Sequence, residues 1–169
     1  MAPASIEILP YQPEYAESVI ALVLSIQQRE FGIPILLEEQ PDLLNIPRFY
    51  QRGTGNFWVA ISGDEVVGTV GLLDIGNGSA ALRKMFVKAS FRSVKICLGK
   101  RLLETLIRWC SANGIKEIYL GTTELFLSGH RFYERNGFRE ISLSQLPSNF
   151  PVMPVDTKFY SLDLGKGGV

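Results

Sequence analysis

The chain has 169 residues, of which 46% are hydrophobic and 20% charged, and its 17 basic and 17 acidic side chains give a net charge of zero. This length suits one domain with a sizeable core, and the charge balance argues against general affinity for nucleic acid or anionic membranes. No apolar run approaches the roughly 20 residues that span a bilayer, and Met1–Pro10 lacks the pattern of a signal peptide. These features predict a cytoplasmic protein.

The cysteine and histidine content argues against a structural metal or a disulfide. Cys97 and Cys110 fall in one predicted helix, so they lie roughly 20 Å apart, beyond the reach of a disulfide. His130 is the only histidine and no paired-cysteine spacing occurs, so we expect no metal site.

The first third of the chain predicts a strand, a helix and a shorter helix. Residues 6–10 form the strand, and Pro13 opens a helix in which Tyr15, Val19, Leu22, Val23 and Ile26 recur at helical spacing. The shorter helix spans 41–50. Before and at its start lies an acidic cluster of Glu38, Glu39 and Asp42, which favours a solvated connection and a helix start.

The rest of the chain predicts a meander followed by a parallel crossover. Strands at 57–61, 66–73 and 80–87 are joined by Gly-containing turns. A helix ending at Asn113-Gly114, a strand at 117–120 and a helix at 124–136 come next, and strands at 138–143 and 157–164 close the domain. We therefore expect an α+β fold spanning 1–164, with a mixed sheet of about six to seven strands flanked by about four helices. The tail at 165–169 is predicted to be disordered.

The segment from Leu82 to Asn113 reads as a strand, a basic turn and a long helix. Lys88, Arg92, Lys95 and Lys100 lie close to the start of that helix. Cations are unfavourable at a helix N-terminus unless an anion offsets them, and the unpaired N–H groups there also favour an anion. The segment therefore predicts a phosphate site, although ordinary surface charges would give the same pattern.

Three segments together resemble the GNAT superfamily of acyl-CoA-dependent N-acetyltransferases. ALRKMFV followed by FRSVKICLGKRLLETLI is similar to the family's fourth strand, pyrophosphate loop and following helix. KEIYLGT is similar to its fifth strand, and HRFYERNGF carries the pattern Phe-Tyr-Glu-x-x-Gly-Phe. The resemblance implies acetyl-CoA as the acyl donor and no metal.

The resemblance also implies where acetyl-CoA binds. Phe86 and Val87 would pair with the pantetheine arm as a strand does, and the turn and helix start would surround the pyrophosphate. The implied cofactor-binding residues are Phe86, Val87, Arg92, Ser93, Val94, Lys95, Cys97, Leu98, Gly99 and Lys100. Cys97 stands where the family has its middle glycine, which is tolerable if its φ is negative.

Tyr133 matches the family tyrosine that protonates the leaving thiolate. A tyrosine with an ordinary pKa near 10 keeps its proton at neutral pH, as a general acid requires; the alternative is a packed core aromatic. The general base stays open, because residues 80–87 contain no carboxylate. Asp74, Glu124, a water chain and, less favourably, His130 are the candidates.

The predicted function is acetyl transfer from acetyl-CoA to a primary amine of a small molecule or a protein. The alternative is a CoA-binding regulatory or interaction module of the same fold. In the family fold the acceptor side would be lined by 31–50 and 144–156, where Glu38, Glu39, Asp42 and Asp156 favour a cationic amine. Phe150, Pro151 and Met153 suit either an apolar wall or a homodimer contact.

Overall fold

Seven strands form one mixed sheet, in the order β1-β2-β3-β4-β5-β7-β6, in the computed structural model, which describes residues 5–165. Neighbouring strands are antiparallel except β4 and β5, which are parallel. The strands are β1 Ile6–Pro10, β2 Asn56–Ser62, β3 Glu65–Gly76, β4 Ser79–Val87, β5 Glu117–Thr122, β6 Arg139–Ile141 and β7 Lys158–Asp163. The predicted mixed sheet is confirmed. Apart from Gly165, the tail predicted to be disordered lies outside the described residues.

Five α-helices accompany the sheet: α1 Ala16–Leu24, α2 Pro41–Leu44, α3 Ile46–Phe49, α4 Leu98–Ala112 and α5 Leu127–Arg135. A π-helical segment, Ser25–Glu30, continues α1. The helix predicted at 41–50 is two helices, because Asn45 leaves the helical conformation and accepts the Arg48 N–H as the N-cap of α3. The last helix begins at Leu127 and not at Glu124, since Phe126 has a non-helical ψ of 62°.

Helices cover both faces of the sheet, so the core has two layers. On one face α4 buries Leu98, Leu102, Leu103, Leu106 and Cys110 against the sheet. On the other face α1, α2 and α3 bury a second cluster that includes Val19, Leu43 and Tyr50. Burial of one such leucine contributes about 1.5–3 kcal/mol relative to its exposed state, so the apolar stripe of α4 fixes that helix on the sheet.

Two irregularities of β4 create the opening that holds the candidate site. Parallel pairing joins Ser79–Ala81 to Glu117–Tyr119 only, so β4 and β5 part beyond that point. In addition, the β3–β4 register shifts between Thr69 and Gly71, and Lys84 opposite the shift has a φ of 53°. This is a β-bulge, which bends a strand and re-aims its side chains.

Within the described residues, none of the helices is both long enough and apolar enough to cross a bilayer.

Candidate active site

A cleft lies where β4 and β5 part, and we refer to it below as the cleft. Its walls come from β4, the end of β5, the segment after α1, α5, and the loop before β7. The lining residues include Ile26, Phe31, Ile35, Arg83, Lys84, Phe86, Val87, Arg92, Gly121, Phe126, Tyr133, Phe150, Met153 and Asp156. Both stretches expected to line the acceptor side, within 31–50 and 144–156, therefore reach it.

Tyr133 of α5 lines the cleft with its ring held by aromatic neighbours. Its ring centroid lies 5.6 Å from that of Phe132, 5.4 Å from Phe138 and 5.9 Å from Tyr160. Burial raises the pKa of the Tyr133 hydroxyl well above its ordinary value. Within residues 5–165 the hydroxyl makes no hydrogen bond and is not a buried, unsatisfied atom, so it opens onto the cleft. Tyr133 is thus both a packed aromatic and an available proton donor.

Phe86 and Val87 lie on the part of β4 that β5 does not cover. Their backbone pairs with β3, through Thr69 and Gly68, on the opposite edge. The Val87 carbonyl accepts a hydrogen bond of 2.7 Å from Nε of Arg92. The edge of β4 that faces the cleft is therefore open to an extended ligand in the way that a sheet edge accepts another strand.

The turn before α4 is closed by backbone hydrogen bonds to Ser93. The N–H groups of Ile96 and Cys97 both donate to the Ser93 carbonyl, each at 3.2 Å. The first helical hydrogen bond of α4 runs from the Arg101 N–H to the Cys97 carbonyl, at 3.0 Å. The N–H groups of Leu98, Gly99 and Lys100 precede it and have no helical acceptor, so they present a positive helix end.

Cys97 adopts a left-handed conformation, with φ 51° and ψ 38°. The condition under which a non-glycine is readily tolerated at this position, a negative φ, is therefore not met. The turn needs the conformation that glycine favours, and a side chain there is strained by contact with the backbone. The Cys97 thiol donates to the Val94 carbonyl at 2.6 Å, and the side chain is exposed.

The cations near the turn differ in their partners. Arg92 forms an ion pair with Glu30 of the π-helical segment, and its guanidinium lies 6.0 Å from the Phe31 ring. Lys88 pairs with Glu65. Ser93, Val94, Lys95 and Lys100 are exposed and Leu98 is buried, and no ion pair engages Lys95 or Lys100 within the part of the chain that the structure describes.

The three side chains considered as bases lie outside the cleft. Asp74 accepts N–H groups of Thr54 and Gly76, at 3.1 and 2.9 Å, and lines a different surface depression. Glu124 is exposed. His130 is buried, and its Nε2 donates to the Thr123 carbonyl at 2.9 Å, so it is a structural residue.

The carboxylate that the structure does bring to the cleft is Asp156. Its Oδ2 accepts the Met153 N–H at 2.9 Å. It packs so closely over β5 that a Cβ added at Gly121 would lie 2.5 Å from this oxygen. Burial raises the pKa of Asp156, against the lowering effects of the Met153 N–H, Arg83 and Lys84. A carboxylate with a raised pKa in the cleft that Tyr133 also lines suits proton transfer.

A buried charge cluster also borders the cleft. Asp42 is only 3% exposed, and its Oδ2 lies 3.4 Å from Nζ of Lys84 and 3.9 Å from Nη2 of Arg83. The Tyr50 hydroxyl donates to the same oxygen. The expectation that Asp42 belongs to a solvated acidic connection is wrong, although Glu38 and Glu39 are exposed.

Arg83 and Lys84 were missed as site residues by the sequence reasoning. Consecutive residues of a regular strand point to opposite faces, and the bulge at Lys84 is what lets both side chains approach Asp42. The available signal was two adjacent cations inside an otherwise apolar strand. Among the described residues, no group of three or more His, Cys, Asp or Glu is arranged to hold a metal ion.

Comparison with solved structures shows close similarity over nearly the whole chain. A crystal structure of an acetyltransferase of the GNAT family from Staphylococcus aureus superposes with a TM-score of 0.91, at 45% identity, and covers 95% of this chain and 99% of that chain. The PaiA N-acetyltransferase from Thermoplasma acidophilum, solved in complex with coenzyme A, has a TM-score of 0.70 at 20% identity, covering 94% of this chain and 99% of that chain. The second likeness shows a shared fold.

Curated relatives match a shorter region. N-acetylaspartate synthetase from Danio rerio is 34% identical over 104 residues, which is 59% of this chain and 36% of that protein. The chain spans about a third to a half of the length of the curated relatives it matches. The model of the acetyltransferase (GNAT) family matches residues 20–138. On this match and the 45% identical structure, the chain belongs to the GNAT family of acetyltransferases.

Proposed function

We propose that the protein transfers the acetyl group of acetyl-CoA to the primary amine of an acceptor, with Tyr133 as the general acid. The observation that carries this proposal is the Tyr133 hydroxyl, which opens onto the cleft without a protein hydrogen-bond partner among the described residues. The cleft has a volume of about 200 Å³, which is below the roughly 300–1,000 Å³ of most ligand pockets. This size favours a small-molecule amine over a folded protein segment.

The residues present fit acetyl-CoA along the whole path from β4 to α4. The open edge of β4 at Phe86 and Val87 offers backbone groups to the extended pantetheine arm. The N–H groups at the start of α4 that lack a helical acceptor offer a pyrophosphate site. Lys95 and Lys100, which form no ion pair within residues 5–165, lie close to it. The coenzyme A complex of the PaiA N-acetyltransferase, which shares this fold, supports the assignment.

Acetyl transfer requires three events that the cleft residues would serve. The acceptor ammonium gives a proton to water or to a carboxylate at the cleft, and its nitrogen lone pair then attacks the thioester carbonyl carbon while a backbone N–H near Val87 holds the oxygen. The carbon–sulfur bond then breaks, and Tyr133 gives its proton to the departing sulfur. The proton released by the new amide nitrogen returns to the Tyr133 oxygen, so the products are an acetylated amine and free CoA.

Replacement of the Tyr133 hydroxyl tests this assignment. Tyr133→Phe is expected to slow acetyl transfer at least about tenfold while leaving the affinity for acetyl-CoA nearly unchanged, because it removes only the proton donor. Rates are measured as free thiol released, and acetyl-CoA affinity by calorimetry.

Tyr119→Phe is the matched control, since the Tyr119 hydroxyl bonds Glu117 outside the cleft. An unchanged rate in Tyr133→Phe would remove Tyr133 from the mechanism. Tight acetyl-CoA binding with no thiol release from any amine would favour the alternative, a CoA-binding module.

A further inference from the structure

Arg83 has a charged side chain whose hydrogen-bonding capacity is mostly unused. The side chain is 15% exposed and lines the cleft. Within residues 5–165 its one hydrogen bond runs from Nη2 to the Met153 sulfur, at 3.1 Å, and a thioether is a weak acceptor. Its distance of 3.9 Å to Asp42 is too long for a hydrogen bond. A guanidinium carries five donors, so most of them are available to a molecule in the cleft.

Each of the other charged side chains that line the cleft is either a cation with an ion-pair partner or an anion. Lys84 is neutralised by Asp42 at 3.4 Å, and Arg92 is neutralised by Glu30. What remains is the Arg83 cation and the Asp156 carboxylate, and both contact Met153, one at its sulfur and the other at its N–H. This end of the cleft therefore presents a cation and an anion close together.

This end of the cleft is distinct from the phosphate end. Arg83 lies four residues before Val87, which is at most about 13 Å along a strand and less across the bulge at Lys84, and the turn that leads to α4 follows Val87. Arg83 is therefore remote from the pyrophosphate of a bound acetyl-CoA, and the anion it would bind belongs to the acceptor.

Resting on the proposed acetyl transfer, we propose that the acceptor is a small amine that also carries a carboxylate, which the Arg83 guanidinium binds while the amino group lies beside Asp156. A guanidinium matches a carboxylate with two parallel hydrogen bonds. Asp156, which forms no ion pair within residues 5–165, pairs with the ammonium and accepts its proton before attack. This assigns amino acids as the substrate class, in place of the cationic amine expected from the acidic residues.

The test compares amino acids with their uncharged analogues. The probes are L-α-amino acids and β-alanine, their carboxamides, and the matching acids without an amino group. Protection against thermal unfolding in the presence of CoA reports binding, because a ligand of the folded state raises its apparent stability. Thiol release from acetyl-CoA reports turnover. The proteins are wild type, Arg83→Gln, Arg83→Lys, and Arg108→Gln as a control on the exposed surface of α4.

In the wild type at least one amino acid is expected to have a KM about 100-fold below that of its carboxamide, the size of a lost charged pair. Arg83→Gln is expected to remove most of this difference, because it raises the KM of the amino acid far more than the KM of the carboxamide. Arg83→Lys restores part of the difference in KM, since lysine keeps the positive charge but cannot form two parallel hydrogen bonds to a carboxylate. Arg108→Gln behaves as the wild type.

Two results would overturn the inference while the proposed function stands: equal use of an amino acid and its carboxamide by the wild type, or an equal loss of both in Arg83→Gln. The wild-type comparison needs no folded variant. Thiol release by no amine would overturn the proposed function instead. In that case the thermal-unfolding measurement decides. Stronger protection by amino acids than by carboxamides, lost in Arg83→Gln, would support the binding site. An absence of protection by amino acids would overturn it.

Discussion

At the scale of single residues, Cys97 and Lys84 hold conformations that side chains rarely adopt. Their φ values are 51° and 53°, in the region that costs a residue other than glycine about 1–2 kcal/mol. Both lie beside the proposed substrates, Cys97 at the start of α4 and Lys84 at the bulge of β4. Strain of this kind persists only where the surrounding structure enforces it.

Relief of the strain at Cys97 should be measurable. Cys97→Gly is expected to raise the free energy of unfolding by about 0.5–1 kcal/mol, because the strain removed exceeds the entropy that glycine adds to the unfolded chain. Urea unfolding provides the measurement. Cys97→Ala removes the same thiol but keeps the Cβ, so it should give no gain. Equal effects of the two substitutions would show that the left-handed conformation carries no strain.

Single site residues were predicted from the sequence only where they belong to a motif. Tyr133 was identified from the pattern around Phe132 and Phe138, and the structure brings it to the cleft with Phe86 and Val87. Arg83 was not predicted, because its role depends on contacts with Asp42 and Met153. Those residues lie far from Arg83 in the chain, and no local spacing relates them.

At the scale of elements, a buried ion pair ties the short helix α2 to the bulge of β4. Burial acts to raise the pKa of Asp42, but Lys84, Arg83 and the Tyr50 hydroxyl lower it by more, so the net pKa lies below its ordinary value. Burial lowers the pKa of Lys84, and Asp42 opposes this effect. This ion pair holds α2 against the part of β4 from which Arg83 and Lys84 line the cleft.

Loss of the buried ion pair between Asp42 and Lys84 should destabilise the fold. Asp42→Asn is expected to lower the free energy of unfolding by about 3 kcal/mol at neutral pH, because it leaves the buried Lys84 ammonium without its counter-charge. The stabilisation is complete above the unfolded-state pKa, about 3.9. It disappears as the pH falls through the lower folded-state pKa, so the difference between wild type and variant should shrink in acid.

Urea unfolding as a function of pH measures both effects. Glu38→Gln is the matched control, since Glu38 belongs to the same acidic cluster but is exposed, and it should change stability by under about 0.5 kcal/mol. If Asp42→Asn lowers the free energy of unfolding by as little as the control does, the buried ion pair does not stabilise the fold.

The bounds of helices and strands were predicted to within a few residues where apolar residues recur at regular spacing within the element. The long helix α4 and the strands of the meander follow from apolar spacing and turn residues. The bulge at Lys84 and the early parting of β4 from β5 were not predicted. Both depend on register between strands, which the pattern within one strand does not specify.

At the scale of the whole molecule, the order of elements and three motifs predicted the fold and the family. The set of residues at the Arg83 end of the cleft was not predicted. These residues come from the segment after α1, from β4, from β5 and from the loop before β7. Only the folded chain places the cation of Arg83 and the anion of Asp156 together. The acidic residues of the sequence had suggested a cationic acceptor.

We propose that the cleft transfers the acetyl group of acetyl-CoA to an amine that carries a carboxylate. Product analysis by mass spectrometry, after incubation with acetyl-CoA and the amino acid panel, is the decisive measurement. We expect an N-acetylated amino acid in an amount equal to the free thiol, with its carboxamide acetylated far more slowly. Free acetate in place of an acetylated amine, or carboxamides acetylated as fast as amino acids, would contradict it.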